Sequence, residues 1–314
     1  MVFVLALAAV SAMLAGNPGP CAAETNPLAV EISHNASSKQ PTPQSNSAAA
    51  SSTGEDSAAE NELLEAANKS RKQAGVPPFR RNESLRAAAL AHAQRMVASQ
   101  RLDHQFSGEP SLLERIAQVS SPVSPPVASP TTGAMKDALK IDRAGENLAS
   151  ATCAPDANEA LMHSAPHRRN LLDREFDVVG IAAIWSHGQL YVVQDFAREV
   201  PSYSAKQSGK VVGRAVDEIR QEAGLPKLVQ LTPPNLDEAV CSLSRESRPN
   251  ARLLATAYEN RKIITYTQSR PEVLPQAALG LLRDPGVQQF AVGACYARNA
   301  AYPTGTYWIA ILLY

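Results

Sequence analysis

Opposite charges cancel in this chain: 30 Lys and Arg stand against 30 Asp and Glu, leaving no net charge at neutral pH. With no global field, neither nucleic acid nor an anionic membrane surface is an expected partner. Apolar runs long enough to span a bilayer are missing as well. The opening run over residues 1–15 has only the length of a signal-peptide core, and the closing run 307–314 reads as a buried strand too short for a membrane. No basic residue precedes the opening run, so one usual mark of a signal peptide is absent. Histidine is missing from the last third of the chain, because His34, His92, His104, His163, His167 and His187 are all six of them. Imidazole chemistry is therefore confined to the first two-thirds.

What is present begins with export. Residues 1–23 are expected to be a signal peptide, with Cys21-Ala22-Ala23 as a small-residue cleavage site before Glu24 and lipidation of Cys21 as the alternative. A secreted or periplasmic location follows, with no transmembrane segment once the signal is removed. Residues 24–57 are Ser, Ala, Asn, Gln, Pro and Thr with almost no large apolar side chain. Such a segment cannot offset its ordering entropy and reads as a disordered linker. A second low-complexity patch, 119–132, reads as a surface loop ahead of a helical run over 134–141. At 314 residues and 44% hydrophobic content, the chain suits two compact domains, 58–200 and 201–314.

Within 58–200, Leu63, Leu64, Ala67 and Ala74 mark a helix over 61–74, stopped by Gly75 and the Pro77-Pro78 pair. Asn82 can cap a second helix, whose Leu85, Ala88, Ala89, Ala93 and Met96 form one stripe ending at Ser99. Residues 157–164 are a third, closed by Pro166. The runs 178–185 and 190–196, joined by Ser186-His187-Gly188-Gln189, read as an antiparallel hairpin. Helices followed by a hairpin predict an α+β layer structure with helices covering the sheet. His104 follows the second helix, Glu146 opens a new segment and His167 follows the third helix, so three polar ends can converge at one end of the layers.

In this order the residues resemble the CAP superfamily, which takes in cysteine-rich secretory proteins, antigen five and the plant pathogenesis-related proteins; its bacterial branch is also called SCP-like. The resemblance rests on Gly75-Val76-Pro77-Pro78, Leu102-Asp103-His104, Gly145-Glu146-Asn147-Leu148-Ala149, Met162-His163-Ser164-Ala165-Pro166-His167-Arg168-Arg169-Asn170, Val179-Gly180-Ile181-Ala182 and Tyr191-Val192-Val193-Gln194-Asp195-Phe196. It implies an α-β-α sandwich, secretion, and a cleft whose His and acid cluster binds a divalent metal in some members. By position, His104 and His167 match the two cleft imidazoles and Glu146 the first acid. The second acid of the eukaryotic members falls near Ser164, and Leu161 stands where they have tryptophan. The cluster is incomplete here, with Ser164-Ala165-Pro166-His167-Arg168 where bacterial members commonly show Ser-Pro-x-His-Arg.

The second domain reads as a worn copy of the first. Arg71-Lys72-Gln73-Ala74-Gly75-Val76-Pro77 recurs as Arg220-Gln221-Glu222-Ala223-Gly224-Leu225-Pro226, a constant shift of 149. Leu85 with Ala88 aligns with Leu236 and Ala239, Val179-Gly180-Ile181-Ala182 with Val292-Gly293-Ala294-Cys295, and Tyr191-Val192-Val193 with Tyr307-Trp308-Ile309. The copy has no His and no Gly-Glu-Asn, and Leu281-Leu282-Arg283-Asp284 stands where a His-Arg pair belongs. A tandem of two sandwiches is expected, the second without the cleft. Cys241 and Cys295 fall where helix packs on sheet; in an exported protein that favours a disulfide, with two buried thiols as the alternative. Cys153 is left over in a polar loop, with no adjacent base that would make it a nucleophile.

Two functions from different classes stand. In the first, the chain is a non-enzymatic binding protein whose cleft, lined by His104, Glu146, Asn147, Ser164, His167, Arg168 and Asn170, holds a small apolar ligand or a cell-envelope component. Glu146 then caps a turn, Arg168 pairs with a carboxylate or the last carbonyls of the third helix, and Asn170 satisfies loop backbone groups. In the second, His104, His167 and Glu146 hold Zn or another divalent cation, and a bound water performs hydrolysis with Glu146 as ligand or base. His163, four residues after Glu159 on one helix face, is a further candidate ligand, its alternative being a solvated surface His. Ser164 lacks the strand-turn-helix elbow of a nucleophilic serine. The incomplete cluster favours binding.

Overall fold

The computed structural model describes residues 54–120, 139–246, 248–259 and 261–314. The expected signal peptide, most of the expected linker and the loop from 121 onward lie outside the described residues.

The first unit begins earlier than its composition suggests. Strand β1 (Gly54–Glu55) pairs with Trp185 and Ile184, and Asp56 caps helix α1 (Ser57–Gln73) through the Ala59 amide while accepting from the Trp185 indole at 2.8 Å. Strand β2 (Arg80–Arg81) leads into α2 (Glu83–Ser99), capped by Asn82 as expected, and α3 (Leu112–Val119) follows, opened by Ser111 and Glu114. Strand β3 (Ile141–Ala151), helices α4 (Ala154–His163) and α5 (Ala165–Leu171), and the hairpin β4 (Val178–Ser186) and β5 (Gln189–Glu199) complete the unit.

Two expectations are corrected here. The described end of the 134–141 run is not helical, since Ile141 starts β3 in antiparallel register with β5. Pro166 does not simply close a helix. Its missing N–H costs nothing in a first turn, so it opens α5 directly after α4.

The sheet runs β1-β4-β5-β3, with β2 added in parallel to β4. Successive side chains of β5 point to opposite faces: Leu190, Val192 and Phe196 pack with α1, α4 and α5, whereas Tyr191, Val193 and Ala197 pack with α2 and α3. This is the α-β-α sandwich. Gly180 sets the distance between sheet and helix, because a Cβ there would lie 2.0 Å from the Arg86 amide nitrogen.

The second unit repeats the plan. It comprises α6 (Ala205–Glu222), β6 (Val229–Leu231), α7 (Leu236–Ser242) with a 3-10 turn, α8 (Arg252–Ala255), β7 (Lys262–Gln268), α9 (Gln276–Leu282) and the hairpin β8 (Gln289–Asn299) and β9 (Tyr302–Leu313). Its sheet order is β6-β8-β9-β7, with β6 parallel to β8 as β2 is to β4. One face packs on α6 and α9, the other on α7 and α8. Gly293 repeats the close approach of Gly180, its Cβ position lying 2.6 Å from Leu236 Cγ.

The copy is most exact at a buried arginine. Arg71 donates to the carbonyls of Pro77, Leu171 and Asp173, and Arg220 to those of Pro226, Leu282 and Asp284. This fixes Leu282 and Asp284 as the partners of Leu171 and Asp173, so Leu281-Leu282-Arg283-Asp284 replaces Asn170 to Asp173. Ala278 and Leu279 stand where His167 and Arg168 are. The register of the last strand is also corrected. Gly180 pairs with Asp195 and Gly293 with Ala310, which places Tyr307 opposite Val192 in the repeat and not opposite Tyr191. A one-residue slip in a strand exchanges its faces, and Tyr307 does lie on the face that Val192 occupies.

Cys241 and Cys295 are joined, tying α7 to β8. Cys153 is buried at the start of α4 and is not a free thiol, which corrects its reading as an odd cysteine in a polar loop. The units meet where Tyr307 accepts from Lys140, Ser269 donates to Asp142, and Arg298 donates to the Ala117 carbonyl. Among the described residues no helix is long and apolar enough to cross a membrane.

Candidate functional site

Glu146 lies in the middle of β3, not at a turn, so it cannot be the cap expected of it. Strand geometry points its side chain to the α2 face, where His104 Nδ1 donates to Oε1 at 2.8 Å and Arg115 of α3 donates to Oε2. Burial alone would raise this carboxyl, but the bond from His104 and the Arg115 charge outweigh it and hold Glu146 below its ordinary value.

Four groups that the sequence reading passed over complete the cluster. His92, fully buried on α2, donates from Nδ1 to Glu109 at 2.7 Å, and its Nε2 is 3.9 Å from Glu146. Glu109 also accepts from the Phe106 amide at 3.1 Å and lies 3.5 Å from Arg115. Arg115 is thus a buried cation between two carboxylates. Asp195 of β5 sits directly across from Glu146 in the sheet and is fully buried. Burial first, and the negative Glu146 second, push it well above the carboxylate range. Asp195 is therefore pushed toward its protonated form, and neither of its oxygens has a hydrogen-bond partner among the described residues.

A second polar layer ties β3 to α5. Asn147 is fully buried; its amide donates to the His167 carbonyl at 3.1 Å and to Gln194 at 3.3 Å. Asn170 donates to the Glu146 carbonyl and to Asn147 Oδ1. It thus serves the backbone of a strand, where loop backbone was the expectation. His167 is half-buried, and burial first, then the neighbouring His104, lower its basicity. Ser164 carries a buried hydroxyl with no hydrogen-bond partner among the described residues. Arg168 is exposed and makes no ion pair among the described residues, contrary to its expected pairing. His163 is a surface residue 3.5 Å from Glu159.

The arrangement does not suit a divalent metal. Both oxygens of Glu146 are already engaged, one of them by a guanidinium whose charge repels a second cation at the same acid. No three His, Cys, Asp or Glu side chains are grouped to hold a metal among the described residues. In the second unit, Thr265 and Ala310 occupy the register positions of Glu146 and Asp195. The cluster has no counterpart there.

Residues 64–196 match the family model described as CAP, the cysteine-rich secretory protein family. Over 139 residues the chain is 28% identical to the uncharacterized protein YkwD of Bacillus subtilis (strain 168), which covers 44% of this chain and 47% of that protein. The chain thus spans about half the length of that curated relative. Among solved structures, an extracellular protein containing a SCP domain from Bacillus anthracis is 20% identical, over 45% of this chain and 40% of that one, with a TM-score of 0.36. Na-ASP-1 is 7% identical over 85% of this chain and 91% of that one, with a TM-score of 0.43.

Proposed function

Because residues 64–196 belong to the CAP family, we propose that the protein is an exported, non-enzymatic binding protein whose partner is a small apolar ligand or a cell-envelope component. The observation that carries this reading is the commitment of Glu146 to His104 and Arg115. A hydrolase needs a base or a metal-held water at the reacting bond. In this cleft Glu146 and Glu109 are already engaged by neighbouring donors and burial pushes Asp195 toward its protonated form, so the polar groups serve as scaffold and recognition falls to the surfaces they hold in place. The alternative, a metal-dependent hydrolase on His104, His167 and Glu146, draws no support from this geometry. Export is supported by the apolar opening run and by the Cys241–Cys295 bridge, a bond that persists in oxidising compartments.

The test uses the full chain with isolated bacterial cell-wall sacculi and with neutral lipid vesicles in sedimentation assays. His104→Ala with His167→Ala should leave binding intact, and the wild type should be inert on peptide and ester panels with added Zn. Loss of binding in that double variant, or turnover abolished by Glu146→Gln, would count against the reading.

A further inference from the structure

The repeat set by Arg71 and Arg220 places Glu60 opposite Gly209 and Leu64 opposite Gly213. In the first unit both side chains fill space: Glu60 is buried and bound to Arg86 at 2.7 Å, and Leu64 packs on the core. In the second unit both are gone. Beside Gly213 there is instead an open cavity of about 390 Å³, lined by Lys210, Gly213, Arg214, Asp217, Leu228, Gln230 and Phe290. That is within the lower range of small-molecule sites, about 300–1,000 Å³.

Its lining is chemically divided. Leu228 and Phe290 are buried apolar side chains that form one wall. Gln230 is held by a bond from its amide to the Gly209 carbonyl at 3.3 Å, which leaves its own carbonyl oxygen beside Gly213. Asp217 is engaged by Lys227 at 2.9 Å. Lys210 and Arg214, one helical turn apart on α6, are exposed at the rim and make no ion pair among the described residues. The cavity therefore offers an apolar wall, an amide and two uncommitted cations on one side.

We propose that this cavity is a binding site for a small aromatic carboxylate, its ring against Phe290 and Leu228 and its carboxylate against Lys210 and Arg214. A divalent cation is disfavoured by the two positive side chains, and a neutral apolar molecule leaves them without a partner. The site is independent of the cleft around Glu146.

The experiment titrates the full chain with dansylglycine, a fluorescent aromatic carboxylate, and with its neutral methyl ester. Saturable one-to-one binding is expected below about 1 mM, with the ester at least about tenfold weaker. Lys210→Glu with Arg214→Glu, and separately Gly213→Leu, should each weaken the probe at least about tenfold. The leucine restores the side chain that fills this place in the first unit. Its Cβ would lie 2.8 Å from Gln230 Oε1, so that side chain must shift, and 3.5 Å from Phe290 Cζ, an ordinary contact; the charge variants are at the surface and leave the core alone. His104→Ala with His167→Ala should bind the probe as the wild type does, so that failure of the cleft reading and failure of this one are separable. No saturable binding, equal binding of the ester, unchanged binding in either second-unit variant, or loss in the His variant would overturn the assignment.

Discussion

Glu146 and Asp195 face one another as register partners on neighbouring strands, one carboxyl held below its ordinary range and the other pushed well above it. Two carboxyl groups so placed cannot both ionise cheaply, and Arg115 and His104 decide which does.

Asp195→Asn tests that division. The raised acid favours the fold fully only below its unfolded value near ~3.9, and wild-type stability falls as pH rises from there toward the folded value. The amide does not titrate and stays uncharged at every pH. The Asp195→Asn variant should therefore gain on the wild type by up to about 1.4 kcal/mol per pH unit across this window. Urea unfolding at several pH values measures it, and identical pH slopes for the two proteins would contradict the assignment.

Arg115→Met leaves Glu146 and Glu109 buried without their shared cation. Removing one partner of a buried ion pair costs about 3–5 kcal/mol, and that loss is expected at pH 7. Because Glu146 is held below its ordinary value, its contribution to stability is present above the unfolded value and lost as pH falls through the folded one. The cost of the substitution should shrink accordingly near pH 4. A loss under about 1 kcal/mol at pH 7 would reduce Arg115 to a surface-like contact.

The layers were legible in the sequence because α1, α2 and the β4–β5 hairpin carry their periods plainly, and the 149-residue shift showed the repeat. Strand β3 was not, since Gly145 to Ala149 is buried on both faces and so shows no alternation. His92 did leave a signal: it shares the α2 stripe with Ala88, Ala89 and Met96, where a buried imidazole requires a partner. Gln194 and Asp195 left another, as polar residues inside the apolar run from Tyr191 to Phe196. Arg115 left none, because its partner Glu146 is 31 residues away and only the tertiary fold joins them. At Tyr307 the shared tyrosine suggests one register, whereas the pairing of Gly293 with Ala310 sets another, one residue away.

Arg71→Lys and Arg220→Lys should damage their units alike. Each arginine binds three equivalent carbonyls, and Arg71 also that of Phe176, with a rigid fork that a lysine cannot reproduce. Leaving buried carbonyls unpaired costs about 1–3 kcal/mol each, so both variants should lose several kcal/mol in denaturant unfolding. A large effect for one and none for the other would contradict the structural equivalence of the two clamps.

Zn calorimetry on the full chain tests most directly whether the cleft is closed around Glu146 by its own side chains. No stoichiometric Zn binding in the micromolar range is expected for the wild type. Stoichiometric micromolar binding that His104→Ala with His167→Ala abolishes would contradict it and return the hydrolase reading to the cleft.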